Sequence, residues 1–284
     1  MKKFLRWTGI VAAGLVVVIF AGIGWLYFAS EREIHRRYEV VAVTPPALPS
    51  DPAEIAEGLR VAQLAGCLHC HGEKLTGSVV DDIPHLVRLV APNLSTLLPG
   101  YSDAQIATVL RKGVKPDGTS VVFMPSEMFR HLSDQDLARV IAWLRTVPAS
   151  TEGVQEKTEV RLLGRLIVAN GDVKLAAQSI ASLPPPVGAF DAADPVSHGR
   201  YLVMNLCTEC HGQDLEGFAP IHAPALAVAK AYSAAQFARL MHDGVALGDR
   251  QLELMSATSR ARFAHLRDEE LQAVYAFLQS LGDS

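Results

Sequence analysis

Cys67-Leu68-His69-Cys70-His71-Gly72 and Cys207-Thr208-Glu209-Cys210-His211-Gly212 are the two stretches that decide how this chain of 284 residues is read. In each, two cysteines three positions apart can add across the two vinyl groups of one haem. The histidine that follows then lies under the iron as its axial ligand. Together the two runs consume all four cysteines, so none remains for a disulfide. Zinc also takes C-x-x-C pairs, but an ion bridging four thiolates has no need of a histidine after each pair.

The residues on either side of the two motifs correspond. Asp51-Pro52 can cap and start a helix that carries Ile55, Gly58, Leu59 and Ala62 into the first motif, and Asp194-Pro195 does the same for Gly199, Leu202, Val203 and Leu206 before the second. Residues 70–77 match 210–217, and Ala91-Pro92-Asn93-Leu94 matches Ala223-Pro224-Ala225-Leu226. Ser102 and Ser233 each open a helix closed by a glycine, Gly113 and Gly244, the expected cap and stop. A last helix follows His131-Leu132 with Ser133 as cap and Leu137, Val140, Ile141 and Leu144 at helical spacing; its counterpart follows His265-Leu266 with Leu271, Val274, Tyr275 and Leu278. The chain is an internal repeat.

Each half resembles a class I cytochrome c domain, and the whole resembles membrane-anchored dihaem cytochromes c, including the cytochrome subunits that serve bacterial dehydrogenases and oxidases. The resemblance covers residues 53–147 and 195–281. It implies an all-α fold, two covalently attached haem c groups on Cys67/Cys70 and Cys207/Cys210, and His71 and His211 as iron ligands. It also implies that the carbonyls of Pro92 and Pro224 hold the rings of those histidines, the usual outer support of a metal-bound histidine. The first and last helices of each half would cross closely, Gly58 with Trp143 and Gly199 with Phe277, because glycine allows close backbone approach.

The sixth ligand decides whether an iron is closed or open to substrate. In the first half the candidates are Met124 and Met128, and Met124 is preferred because its Met-Pro pair looks like the family's ligand loop. Met128 reads as a core residue. In the second half the His-Leu register puts Thr258 opposite Met124, and Met255, three residues earlier, is the expected ligand from a lengthened loop. Met241 reads as core. His222, His242 and His265 read as surface or capping residues, with bis-histidine ligation as the alternative. Asn93 has no polar counterpart at Ala225, so the two potentials are expected to differ.

Lys2, Lys3 and Arg6 precede an uncharged run from Trp7 to Ser30, long enough to cross about 30 Å of hydrocarbon. Basic residues before it predict a cytoplasmic N-terminus, with the rest on the periplasmic side of the cytoplasmic membrane. A cleaved signal peptide is the alternative. The run exceeds the usual 7 to 15 apolar residues and ends on a poor cleavage pattern, so a retained anchor is expected. Residues 31–52, with Pro45, Pro46, Pro49 and Pro52, are predicted to form a stiff spacer. The remaining divisions are a first domain at 53–147, a linker at 148–190 and a second domain at 191–284. The linker holds an apolar patch at Val160–Val168, read as a strap across both domains or as a docking surface.

Residues 51–147 hold nine basic and eleven acidic side chains, residues 191–284 seven and twelve. This acidity suits a basic protein partner, and no basic patch points to nucleic acid. The expected function is a single-electron carrier, not itself an enzyme, with a dehydrogenase or quinol-oxidising complex as donor and a cytochrome or oxidase as acceptor. The alternatives are a dihaem peroxidase with one open iron and a haem sensor, the latter disfavoured by the few residues preceding the span.

Overall fold

The computed structural model describes residues 2–282. Helix α1 (Lys2–Ile34) has a mean hydropathy of 2.4 in its most apolar window, none of it buried. At 1.5 Å per residue it is long enough to cross a bilayer, and its Trp25 and Tyr27 are exposed near its far end. Residues 41–52, expected as a free stand-off, instead lie along the first half. Val43 and Leu48 pack on its core, the Val43 amide donates to Thr108 Oγ1 (2.9 Å), and Tyr38 is bonded to Gly118.

The first half is built from α2 (Pro52–Leu64), α3 (Cys67–His71), α4 (Leu94–Leu97), α5 (Asp103–Lys112), α6 (Ser126–Phe129) and α7 (Asp134–Leu144). The second half repeats this with α10 (Pro195–Leu206), α11 (Thr208–His211), α12 (Ala234–Asp243), α13 (Glu253–Ala261) and α14 (Asp268–Ser280). Between them lie α8 (Leu162–Asn170) and α9 (Ala176–Ser182). The caps fall where the sequence places them: Asp51 and Asp194 accept from the amides of Ala53 and Val196, and Ser102 and Ser233 form capping boxes with Gln105 and Gln236.

In each half the first helix crosses the last at a glycine. A Cβ on Gly58 would lie 2.0 Å from the Arg139 carbonyl oxygen, and one on Gly199 would lie 1.9 Å from that of Ala273 and 2.8 Å from Phe277 Cβ. Trp143 packs in the cluster that holds Ile55 and Leu59, the residues around Gly58. Bidentate pairing of Arg139 with Glu54 fastens α2 to α7.

Some elements have no counterpart in the other half. Strands β1 (Ser78–Ile83) and β2 (Val87–Ala91) form an antiparallel hairpin between the first motif and Pro92, and β3 (Glu159–Val160) adds to its edge. The second half has only a tight turn there, bridged from Phe218 to Ala223. Residues 148–190 act as a strap over the first half. Asn93 Nδ2 donates to the carbonyls of Ser150 and Glu152, α9 packs on α5 and α6, and the Val187 amide donates to His131 Nδ1 (2.9 Å).

The two halves meet through equivalent elements. The end of α2 meets the turn Phe263–His265 and α14, and the end of α10 meets α6 and α7. Arg60 donates to both carboxylate oxygens of Glu270 (2.8 and 2.6 Å) and to the His265 carbonyl (3.0 Å). Across the pseudo-symmetric contact the Tyr201 hydroxyl, kept protonated by burial and by the neighbouring Asp136, donates to Asp136 (2.5 Å) and accepts from the Ser133 amide (3.1 Å). Leu64, from the first half, is 4% exposed and belongs to the core cluster of the second.

Candidate haem-binding sites

Both C-x-x-C-H runs fold as a short turn of helix, α3 and α11, each closed by a glycine with positive φ, Gly72 and Gly212. Three residues further on, Leu75 and Leu215 adopt φ of 55° and 65°, a conformation uncommon for a residue with a bulky side chain. It persists because the surroundings enforce it. The Leu75 carbonyl accepts from the Leu94 amide and the Leu215 carbonyl from the Leu226 amide, both at 2.8 Å. Each strained leucine thereby ties its motif to the segment that carries Pro92 or Pro224.

That tie sets the histidines. His71 Nδ1 lies 2.9 Å from the Pro92 carbonyl oxygen and His211 Nδ1 2.7 Å from that of Pro224. A carbonyl only accepts, so Nδ1 carries the proton and Nε2 keeps its lone pair for a metal. Burial pushes the His71 pKa down, against the opposing pull of the Pro92 carbonyl, which favours the neutral, metal-binding ring. Cys67 and Cys207 lie against the core clusters of their halves. Burial pushes both thiols up to about 12, while the Arg262 charge pulls them down.

These residues fit a haem in each half. A cysteine pair, a histidine with one nitrogen free and an apolar wall stand together, and beside the first motif a crevice of about 160 Å³ opens among Leu75, Leu94, Leu98 and Leu144. Among the described residues no three of His, Cys, Asp or Glu converge on a common metal position.

Of the methionines, Met124 lies half-buried in the loop before α6 and packs on the cluster that holds Cys67. Ser126 pins that loop, its hydroxyl donating to the Val109 carbonyl (2.9 Å) and its amide to Met124 O (2.8 Å). Met128 is wholly buried in the same cluster. Met255 is half-buried against the core that holds Cys207, but it sits on α13, not on a lengthened loop. Met241 is core. His222 caps a turn in left-handed conformation. His242 ends α12 with its Nε2 buried and without a partner. Asn93, which has no polar counterpart at Ala225, caps α4 with its side chain and holds the strap.

Arg262 and Glu209 are the residues sequence reading missed. Arg262 is 8% exposed. Its Nε donates to the Leu64 carbonyl (3.0 Å) and its Nη1 to Glu209 inside the second motif (3.0 Å), while its guanidinium packs on Gly66, the residue before Cys67. One buried cation therefore stands between the two attachment segments, and its charge opposes the burial that raises the pKa of all four cysteines. The repeat held a signal: the His-Leu register puts Arg262 opposite Met128, a cation where the other half has a core side chain.

The cytochrome c family model matches residues 55–148 and 196–282. Over 168 residues the chain is 27% identical to the fructose dehydrogenase cytochrome subunit of Gluconobacter japonicus, an alignment covering 55% of this chain and 34% of that protein. The chain thus spans about a third of the length of this curated relative. With two matched segments, each holding one cysteine pair and one proline-held histidine, this chain belongs to the cytochrome c family.

Proposed function

We propose that the chain is a dihaem electron carrier anchored at the outer face of the cytoplasmic membrane, taking single electrons from a dehydrogenase or quinol-oxidising complex and passing them to a cytochrome or oxidase. The observation that carries this reading is the duplicated bond from a histidine Nδ1 to a proline carbonyl beside a cysteine pair. Its two domains are residues 53–147 and 191–284. The similarity to a dehydrogenase cytochrome subunit supports a donor of that class.

Haem c supplies a one-electron iron couple, tuned by axial ligand and burial. In this chain Cys67 and Cys70, and Cys207 and Cys210, would hold the group through thioethers. His71 and His211 present Nε2, the carbonyls of Pro92 and Pro224 fix the tautomer, and Leu75 and Leu94 exclude water. Met124 and Met255 would offer their sulfurs as the second ligand of each iron, from beside the clusters that hold Cys67 and Cys207.

The test is the visible and near-infrared spectrum of the oxidised protein. Met124→Ala and Met255→Ala should each remove part of the weak far-red sulfur-to-iron band. Met128→Ala should leave the band and cost about 2–5 kcal/mol of stability as a buried truncation. A high-spin haem in the wild type would overturn the closed-site reading in favour of a peroxidase-like enzyme.

A further inference from the structure

Helix α8 carries Leu162, Leu163 and Leu166, which are 48%, 51% and 45% exposed. Leu166 stands three positions after Leu163 and four after Leu162, so the three share one side of the helix. Nothing in the described chain covers that face, yet the helix itself is firmly held. On one side it packs on the end of α1. Arg165 lies over the Tyr27 ring (4.2 Å to the centroid), donates to Ser30 Oγ (2.9 Å) and pairs with Glu31 (2.7 Å). On the other side the β1–β2 turn clamps it. The Arg161 amide donates to the Leu86 carbonyl and the Leu163 amide to that of His85, both at 3.0 Å. Arg161 pairs with Asp82 (2.6 Å), and a Cβ on Gly164 would lie 2.3 Å from Leu86 O.

The Arg165–Tyr27 contact fixes the depth of α8 along α1. Tyr27 and Trp25 belong to the last turns of the apolar run, the level at which amphipathic rings collect in a membrane. A helix held beside that level presents its outward leucines to the boundary between headgroups and acyl chains. Its two arginines are already neutralised by Glu31 and Asp82, so neither has to be stripped of a partner there. We infer that α8 is an interfacial membrane helix: its Leu162, Leu163 and Leu166 face dips into the lipid leaflet from which α1 emerges and gives the first domain a second point of attachment. The occupant is the bilayer because α8 packs on α1 at Tyr27, Ser30 and Glu31, where the exposed apolar surface of α1 ends, and exposed leucines held at that level meet the headgroup–acyl boundary.

The inference rests on α1 being retained as a membrane span. The full holoprotein is reconstituted in phosphatidylcholine–phosphatidylglycerol nanodiscs, and the mass of the purified chain establishes whether residues 1–30 are present. Leu163→Cys and Leu166→Cys are spin-labelled, with Leu254→Cys (54% exposed, second domain) as the water-facing reference and the parent protein as the labelling blank. The expected result is that labels at 163 and 166 are severalfold less accessible to a nickel chelate, and more accessible to oxygen, than the label at 254. An intact chain whose 163 and 166 labels match the one at 254 overturns the inference while leaving the anchor standing. Protection that appears only when another protein co-purifies also overturns it, assigning the face to a protein partner. A chain lacking residues 1–30 instead refutes the anchor on which the inference rests.

Discussion

Arg262→Met tests whether the buried cation between the two attachment segments has an electrical role or only a structural one. The variant loses the donor to the Leu64 carbonyl, which is buried with Leu64; an unpaired buried acceptor costs about 1–3 kcal/mol. It also loses the pair with Glu209, whose side chain is 36% exposed, so water restores much of that term and it adds less than about 1 kcal/mol. The sum is about 1–4 kcal/mol, or roughly 2–16 °C in Tm for a folded unit of this size, measured by thermal unfolding. The electrical effect has a fixed sign. A positive charge stabilises the reduced iron, so its removal lowers both midpoint potentials. A unit charge acting over about 10 Å at an effective dielectric of about 20 is worth about 1–2 kcal/mol, which is roughly 40–90 mV for a one-electron couple, and that sets the scale of the expected shift. Spectroelectrochemical titration should show both midpoints falling together, Glu209→Gln moving them upward, and Arg262→Lys lying near the wild type. A lowered Tm with both midpoints unmoved would refute the electrical role and leave Arg262 a clamp between domains.

Gly199→Ala places a methyl 1.9 Å from the Ala273 carbonyl oxygen, against roughly 3.5 Å for ordinary contact. Helices α10 and α14 must therefore part, at about 3 kcal/mol or more; a denaturant midpoint equal to the wild type would contradict the close crossing. His131, 3% exposed, accepts from the Val187 amide at Nδ1, so Nε2 carries the proton toward Gln213 Oε1 (3.2 Å). Burial first, then the Arg130 and Arg200 charges, hold its pKa below the ordinary 6.5, with Gln213 opposing them. The unfolded chain therefore binds the proton more readily. The stability conferred by the neutral ring is full above about pH 6.5 and is lost as pH falls below that value toward the depressed folded pKa. Denaturant midpoints from neutral to mildly acid pH should fall more steeply for the wild type than for His131→Gln, and equal slopes would remove His131 as the cause.

The haem-binding spacing, the repeat and the helix caps were legible in the sequence because each is local. Two cysteines and a histidine must be neighbours in the chain to grip one porphyrin, and a serine caps only the helix it begins. The Pro92 and Pro224 carbonyls were within reach of the resemblance, and the crossings at Gly58 and Gly199 followed from it too, since repeated halves carry the same glycine on the same face. The face between the halves was not legible. Arg60 and Glu270 are 210 positions apart, and Arg262 and Leu64 are 198 apart, so no periodicity links them. Nor did the pattern give the β1–β2 hairpin, the folding of the proline-rich segment onto the first half, or the helix under Met255. Those depend on which surface each segment finds to cover, and a buried cation finds its partners only once both halves are packed. The sequence alone marked the two cysteine–histidine segments and the family they belong to; the tertiary structure decided how the halves face one another across Arg262, because long-range contacts are selected by burial and charge pairing in the assembled fold and leave no trace in local order.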